Sequence, residues 1–424
     1  MNKSSYLVYS TLISFLSASI WWELIRYHIR MAFATGVLVS ALFLMYSIPK
    51  YYYTKIFCFL LLCSCFFLIP GLSIDADTVS AWIHTAPKIL FLPFVCMGLF
   101  VYILIRGDYK LLKITLIVAS VFICYVAIKT ILGETNASRV FLANAQSFEA
   151  LEQAIENIEE GVMGYAQIHA IPFIAIGIVC VVKAGNYIYK FLGVIIGGLC
   201  ACALIKSGYT TATICTGVGV VLSCISMRRR GLTIALFLFV SIFMYCLVIS
   251  GGLLTILESI APNLDQNSNL VSKIREFAAM QTTVNGSDYW NVRSDKYELS
   301  WEHFISNPFW GAGHGEQGGH SYLLDMLCVH GLFVFTLYIC YFWMILKFIY
   351  ASLPKSVGWY YGVGIFILFA LLGFKANALM TQNYMMCLIL PLSLLIKDED
   401  FYYASFVMRK RFGMPPLYYN MEML

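Results

Sequence analysis

Charge is what this chain has least of. Only 12% of its 424 residues are Asp, Glu, Lys or Arg, while 60% are hydrophobic. A soluble fold of this length needs more polar surface than that, so the bilayer is expected to be the main solvent. The formal charge of +5 is small and calls for no acidic partner. There is no basic tract with interleaved aromatics, which argues against nucleic acid. No small-residue cleavage site follows the apolar run that begins at Tyr6. That run therefore reads as a first span and not as a removable signal peptide. Internal repeats are lacking. The apolar runs are long and continuous, which excludes a barrel, whose strands alternate.

Cysteine is plentiful, with 14 residues, but none lies between residues 259 and 320. Most sit inside apolar runs, as Cys58, Cys63, Cys65, Cys200, Cys202 and Cys246 do, where cysteine acts as a small hydrophobe. The pairs Cys63/Cys65 and Cys200/Cys202 are two residues apart. On a helix that spacing sends the side chains to nearly opposite faces, which argues against shared metal ligation. No metal and no cofactor are expected.

Twelve runs have the length of roughly 17–25 residues that a hydrocarbon core requires. They begin near Tyr6, Met31, Ile56, Ile89, Leu111, Val162, Tyr187, Thr210, Leu232, Leu332, Val357 and Met380. The seventh and eighth are joined by a very short link at residues 206–209, and the twelfth contains Pro391. Helices are expected, because backbone exposed to lipid must satisfy its own polar groups. The fold class is thus all-α, a polytopic membrane protein with about twelve spans and a helical outer loop domain.

Orientation follows from lysine and arginine. With the N-terminus inside, the inner loops carry Lys50 and Lys55; Arg106, Lys110 and Lys113; Lys183 and Lys190; Arg228, Arg229 and Arg230; Lys347 and Lys355. The C-terminal tail adds Arg409, Lys410 and Arg411. Both termini are expected in the cytoplasm. The chain divides into residues 1–258 with spans one to nine, an outer loop at 259–331, spans ten to twelve at 332–396, and a cytoplasmic tail at 397–424.

Two outer segments are long. Residues 133–161 place Phe148, Leu151, Ile155 and Ile158 at helical spacing beside Glu149, Glu152, Glu156, Glu159 and Glu160. An amphipathic surface helix is expected there, its glutamates either a solvated face or part of a lid. In residues 259–320, Val271, Ile274, Phe277 and Ala278 suggest one helix. Ser294 would cap a second, with Tyr297, Trp301, Phe304 and Ile305 on one face, ending at Asn307-Pro308 because proline disfavours helix in the residue before it. Acids outnumber bases in this loop, so an anion site must be built by individual arginines.

The loop then runs through Gly311-x-Gly313 to His320-Ser321, nine residues and Gly331, with Thr336 five further on. Arg293, the helix containing Trp301, Asn307-Pro308, Gly311-x-Gly313 and His320-Ser321-x9-Gly331 resemble the signature of the O-antigen ligase/polymerase superfamily of bacterial membrane glycosyltransferases. The likeness covers about 45 residues in order and spacing, and extends to the layout of spans around a large outer loop.

The resemblance implies an enzyme of the bacterial inner membrane with its active site on the periplasmic face. Such members transfer a glycan from undecaprenyl pyrophosphate to an acceptor hydroxyl, without metal or nucleotide sugar. The implied partners are the lipid-linked oligosaccharide, membrane lipids and a chain-length regulator. Arg293 matches the family's arginine, whose planar fork suits a diphosphate; a surface pair with Asp295 or Glu298 is the bland alternative. His320 matches the motif histidine, either taking the proton from the attacking hydroxyl or orienting the diphosphate. Ser321 suits a helix cap better than a nucleophile, and Gly331 close packing.

Asp325 is a candidate for acceptor binding, or simply meets water at the boundary. His314, Glu316 and His330 are weaker candidates. His169 is an ionisable group inside the sixth span. Ligases of the superfamily carry an arginine after a serine at the start of a span. Here the stretch is Lys206-Ser207-Gly208-Tyr209-Thr210, with Lys206 a point cation in its place and Arg275 another possible substitute. The missing arginine and His-Ser followed by Leu-Asp lean to a polymerase of O-antigen, capsule or exopolysaccharide repeats. The ligase that loads lipid A-core is the alternative. A flippase would be expected to show internal repeats and polar or broken helices near the midplane, which the sequence does not suggest.

Overall fold

The computed structural model describes residues 42, 44, 46–48, 50, 55–66, 90, 92–132, 163, 165–207, 209–225, 288–313, 318–319, 321–374 and 389–416. Every regular element among them is helical, and no strand occurs among them. In chain order the helices are α1 Lys55–Phe66, α2 Leu92–Arg106, α3 Tyr109–Leu132, α4 Ile171–Ala184, α5 Tyr187–Ser207, α6 Thr210–Cys224, α7 Asp288–Ser306, α8 Tyr322–Tyr350, α9 Lys355–Phe374, α10 Leu390–Leu394 and α11 Asp398–Arg411. A single turn, Tyr165–Ile168, precedes α4.

Among the described residues, α3, α5, α8 and α9 are long and apolar enough to cross a membrane; α1, α2, α4 and α6 are apolar but shorter. The expected spans that begin near Tyr6 and Leu232 lie outside the described residues, as do most of the one that begins near Met31, the first part of the twelfth and the outer helix at 133–161.

The helices are apolar on two sides. On α3, Leu112, Thr115, Ala119, Ile123 and Val126 are buried in the bundle. Its opposite stripe, Ile117, Val121, Tyr125, Ile128 and Leu132, is exposed. On α5, Ile188, Phe191, Leu192 and Ile195 are exposed likewise. An apolar outer face on a helix whose inner face is already buried is what hydrocarbon requires and water penalises. The cysteines obey the same geometry: Cys63 and Cys200 are buried, and Cys65 and Cys202, two residues on, are exposed.

Helix α4 lies at the centre, packed on α5, α6, α9 and α10, while α8 joins α1, α2, α7 and α9. The α2–α3 hairpin turns at Gly107, whose left-handed φ of 64° lets its N–H reach the Ile103 carbonyl at 3.0 Å. Asp108 then accepts from the Leu111 N–H at 3.0 Å and caps α3.

One end of the bundle gathers cations onto helix C-termini. Lys183 donates to the Ser223 and Cys224 carbonyls at 2.9 and 2.8 Å. Arg409 donates to the Ile105 carbonyl, and Ser405 to that of Leu104. Arg411 reaches the carbonyls of Phe348 and Ala351 and the Ser352 hydroxyl at 2.9–3.1 Å. These are the last turns of α6, α2 and α8, where carbonyls lack intrahelical partners and the dipole favours positive charge. The expected tail thus begins with a packed helix: Phe401, Ala404 and Met408 of α11 are buried.

Three expectations are corrected. The second loop helix does not begin at Ser294 but six residues earlier, at Asp288, since no Gly or Pro interrupts residues 288–306 and Ser287-Asp288 offers an earlier start. It ends at Ser306, before Asn307-Pro308, as expected. The sixth span is not continuous. It breaks at residues 169–170, so His169 lies at a turn between helical segments. The expected absence of broken helices therefore fails here, while the break inside α8 falls at residue 331, where the outer loop is expected to end.

Candidate functional site

The loop motif is assembled by a break in α8. Gly331 sits inside that helix with φ 69° and ψ 175°, a region essentially reserved for glycine. The break frees backbone groups on both sides, and the segment after Asn307-Pro308 fills them. The N–H groups of Ala312 and Gly313 donate to the Cys328 and Val329 carbonyls at 2.8 and 3.3 Å. In return, Leu332 and Phe333 donate to the Pro308 and Phe309 carbonyls at 2.8 and 3.4 Å. Four backbone groups left open by the break are paired by one short segment.

The fit requires glycine on both sides. A β-carbon on Gly331 would lie 2.5 Å from the Gly311 nitrogen, and one on Gly311 would lie 2.6 Å from the Gly331 nitrogen. Gly311 also has a positive φ of 79°. The Gly311-x-Gly313 and Gly331 positions of the motif, 18 or more residues apart in sequence, are thus two halves of one backbone contact.

A second tie joins α7 to α8. Ser300, buried on α7, donates its hydroxyl proton to Asp325 Oδ1 at 2.9 Å and accepts from the Gly318 N–H at 2.8 Å. Asp325 Oδ1 also accepts from the Gly319 N–H at 3.3 Å. Gly318 lies so close to α7 that a β-carbon there would be 2.9 Å from the Lys296 Cα. Ser321 is the N-cap of α8, its hydroxyl accepting from the Leu324 N–H at 3.4 Å, the role expected of it. The neighbours of His320 on either side are therefore held, Gly319 by Asp325 and Ser321 by its cap.

His320, His314, Glu316 and Arg275 lie outside the described residues. Arg293 is in the second turn of α7, and its side chain lies outside them too. Asp325 is half-buried and committed to the loop. His330, next to the break, is buried. Sequence reasoning passed over Ser300. Its signal was slight: one small hydroxyl on the same helical face as Tyr297 and Phe304, where an apolar residue would otherwise pack.

Lys206 lies elsewhere, at the end of α5, where its ammonium donates to the Ile131 carbonyl in the last turn of α3. Near that end of the bundle the rings of His169 and Tyr209 meet edge to face, their centroids 5.5 Å apart, and Gln167 and His169 are fully buried. Among the described residues no three His, Cys, Asp or Glu side chains gather as a metal ion would need.

No family model and no curated protein matches the chain.

Proposed function

We propose that this protein is a membrane glycosyltransferase that polymerises lipid-linked oligosaccharide repeats of O-antigen, capsule or exopolysaccharide type. In this reading about twelve spans cross the bacterial inner membrane, both termini are cytoplasmic, and residues 259–331 form a periplasmic catalytic loop. Arg293 holds the pyrophosphate of the undecaprenyl donor with its bidentate fork, with Arg275 or Lys206 as a second cation. His320 removes the proton from the acceptor sugar hydroxyl as that oxygen attacks the anomeric carbon. The glycosyl–phosphate bond breaks, and undecaprenyl pyrophosphate leaves with the electron pair.

The observation that carries this reading is the convergence of the motif's separate parts. Asn307-Pro308, Gly311-x-Gly313 and Gly331 form one backbone unit, and the residues flanking His320 are tied to the same pair of helices. The closure makes these motif positions one unit beside His320, where this reading puts the chemistry.

The test is a deletion strain complemented with variants. His320→Ala and Arg293→Ala are expected to abolish long polymer on a glycan gel while membrane protein levels stay normal. Long chains from both variants would remove these residues from the site. Single repeats on the surface lipid of the deletion strain fit a polymerase. Bare core with long chains stranded on undecaprenyl would make the protein the ligase instead.

The break at residues 169–170 favours one other reading, a flippase of lipid-linked sugars. Helix α4 runs 14 residues from its charged end to that break, about 21 Å at 1.5 Å per residue, which is within hydrocarbon depth. Vesicle flipping of lipid-linked sugar with no glycosidic bond formed would establish that reading and end the first.

A further inference from the structure

The outward faces of α7 are of two kinds. Ser300 turns toward α8, and Tyr297 and Phe304, three and four residues from it, share its side of the helix. Beside them lie Trp301 and Ile305, four residues apart and so on one stripe, 49% and 57% exposed. Asp295, Glu298 and Glu302 form an exposed acidic stripe along its edge, Glu298 three residues before Trp301 and Glu302 three before Ile305. The apolar stripe does not end with the helix. It continues through Phe309 and Trp310 of the turn, 66% and 41% exposed. From there it runs onto α8: the Trp310 and Phe333 rings are 5.6 Å apart, and Leu332 and Phe333 are themselves exposed just past the Gly331 break.

Continuity decides what covers this surface. Leu332 and Phe333 open the part of α8 that reaches Tyr350, 19 residues or about 28 Å, one hydrocarbon thickness. Exposed groups at that boundary meet the lipid interface. Trp301, Ile305, Phe309 and Trp310 extend the same apolar surface sideways, and two of the four are tryptophans, the residue whose ring suits headgroup depth. The acidic stripe would point to water.

We propose that α7 and the turn after it form an interfacial platform, with Trp301, Ile305, Phe309 and Trp310 seated among the headgroups and upper acyl chains of the outer leaflet. The acidic stripe gives no attraction to anionic lipid. The helix is held instead by apolar contact and by its tether to α8, so its seating is independent of membrane charge. The inference needs only that α8 crosses a bilayer and assumes no transfer reaction.

Fluorine NMR of the full chain labelled with fluorotryptophan, in phosphatidylethanolamine/phosphatidylglycerol vesicles, tests this. Trp301→Phe and Trp310→Phe assign the two resonances among the chain's 8 tryptophans. Lipid spin-labelled just below the headgroup is expected to broaden both several-fold more than either a water-soluble gadolinium chelate or a label at the acyl-chain end. Lowering the phosphatidylglycerol fraction should leave the pattern unchanged. Broadening chiefly by the chelate would put the face in water, and none from any agent would put it under protein. Either result overturns the platform, as does stronger broadening by the deep label. The readout is depth and not product, so polymer formation by the variants above is judged separately.

Discussion

A residue with a side chain at position 331 would have to displace backbone on the facing turn, and the same holds at 311, because each β-carbon would overlap the other glycine's nitrogen. Gly331→Ala adds strain of about 1–3 kcal/mol for a glycine-only conformation. Separating the facing segments loses further hydrogen bonds at about 1 kcal/mol each. Gly313 also has a positive φ, 93°, but nothing lies within 4 Å of a β-carbon there. Gly313→Ala therefore incurs the strain alone. Thermal melting in detergent should rank Gly331→Ala well below Gly313→Ala, and equal losses would mean the reciprocal contact is not present. Ser300→Ala would strand the Gly318 N–H and one lone pair of Asp325, at about 1–3 kcal/mol. If the tie positions His320, this variant should lower polymer yield more than its Tm loss explains, and Ser300→Thr, which keeps the hydroxyl, should restore it. A yield that simply follows Tm would leave Ser300 a packing residue. The cap at Ser321 and the need for glycine at 331 were legible in the sequence, since each residue type has few other uses at such a place. Ser300 was not, because a lone serine inside a helix carries no local mark of its partners, which here are 18 and 25 residues away.

Helix ends were easier to read than helix continuity. Asn307-Pro308 stops α7 and Gly107 stops α2 for local steric reasons, visible in a few residues. The break at residues 169–170 is marked by Pro172, which has no N–H for the Ile168 carbonyl, but a single proline inside an apolar run fits a kinked span as well as a broken one. Helix α11 was invisible as a packed element because its mean composition is polar, and what docks it is the supply of bare carbonyls on α2 and α8. Arg411 illustrates the consequence. Its fork spans two carbonyls and a hydroxyl, a set that a lysine's single ammonium cannot cover. The side chain is partly in water, so Arg411→Ala should cost on the order of 1 kcal/mol. Arg411→Lys should recover less than half of that in the melting temperature. Full recovery would mean that charge near the helix dipoles suffices and that the fork geometry is unimportant.

For the molecule as a whole, the gathering of cations matters more than the number of spans. Arg106, Lys183, Lys347, Lys355 and the basic end of α11 belong to helix ends that α11, Lys183 and Trp359 link into one face, with Trp359 Nε1 donating to the Leu222 carbonyl at 3.2 Å. The charge rule reads this side as cytoplasmic from sequence, and these contacts bring the same loop ends together. From Tyr350 on that side, the second part of α8 runs about 28 Å to Gly331, which sets the Gly311–Gly331 contact at the opposite end of that helix. Under the proposed transfer, a lipid-linked donor already carried across the membrane can be used only if that end is periplasmic. Alkaline phosphatase inserted after Gly315 of the full chain should therefore be active in cells. A fluorescent protein appended after Leu424 should fluoresce, because it matures in the cytoplasm. The phosphatase inserted after Gly413, just past α11, should be inactive. Activity after Gly413 together with silence after Gly315 would turn the molecule over and leave the histidine motif facing the cytosol. A transferase acting on flipped substrate could not work from there, however well its motif closes.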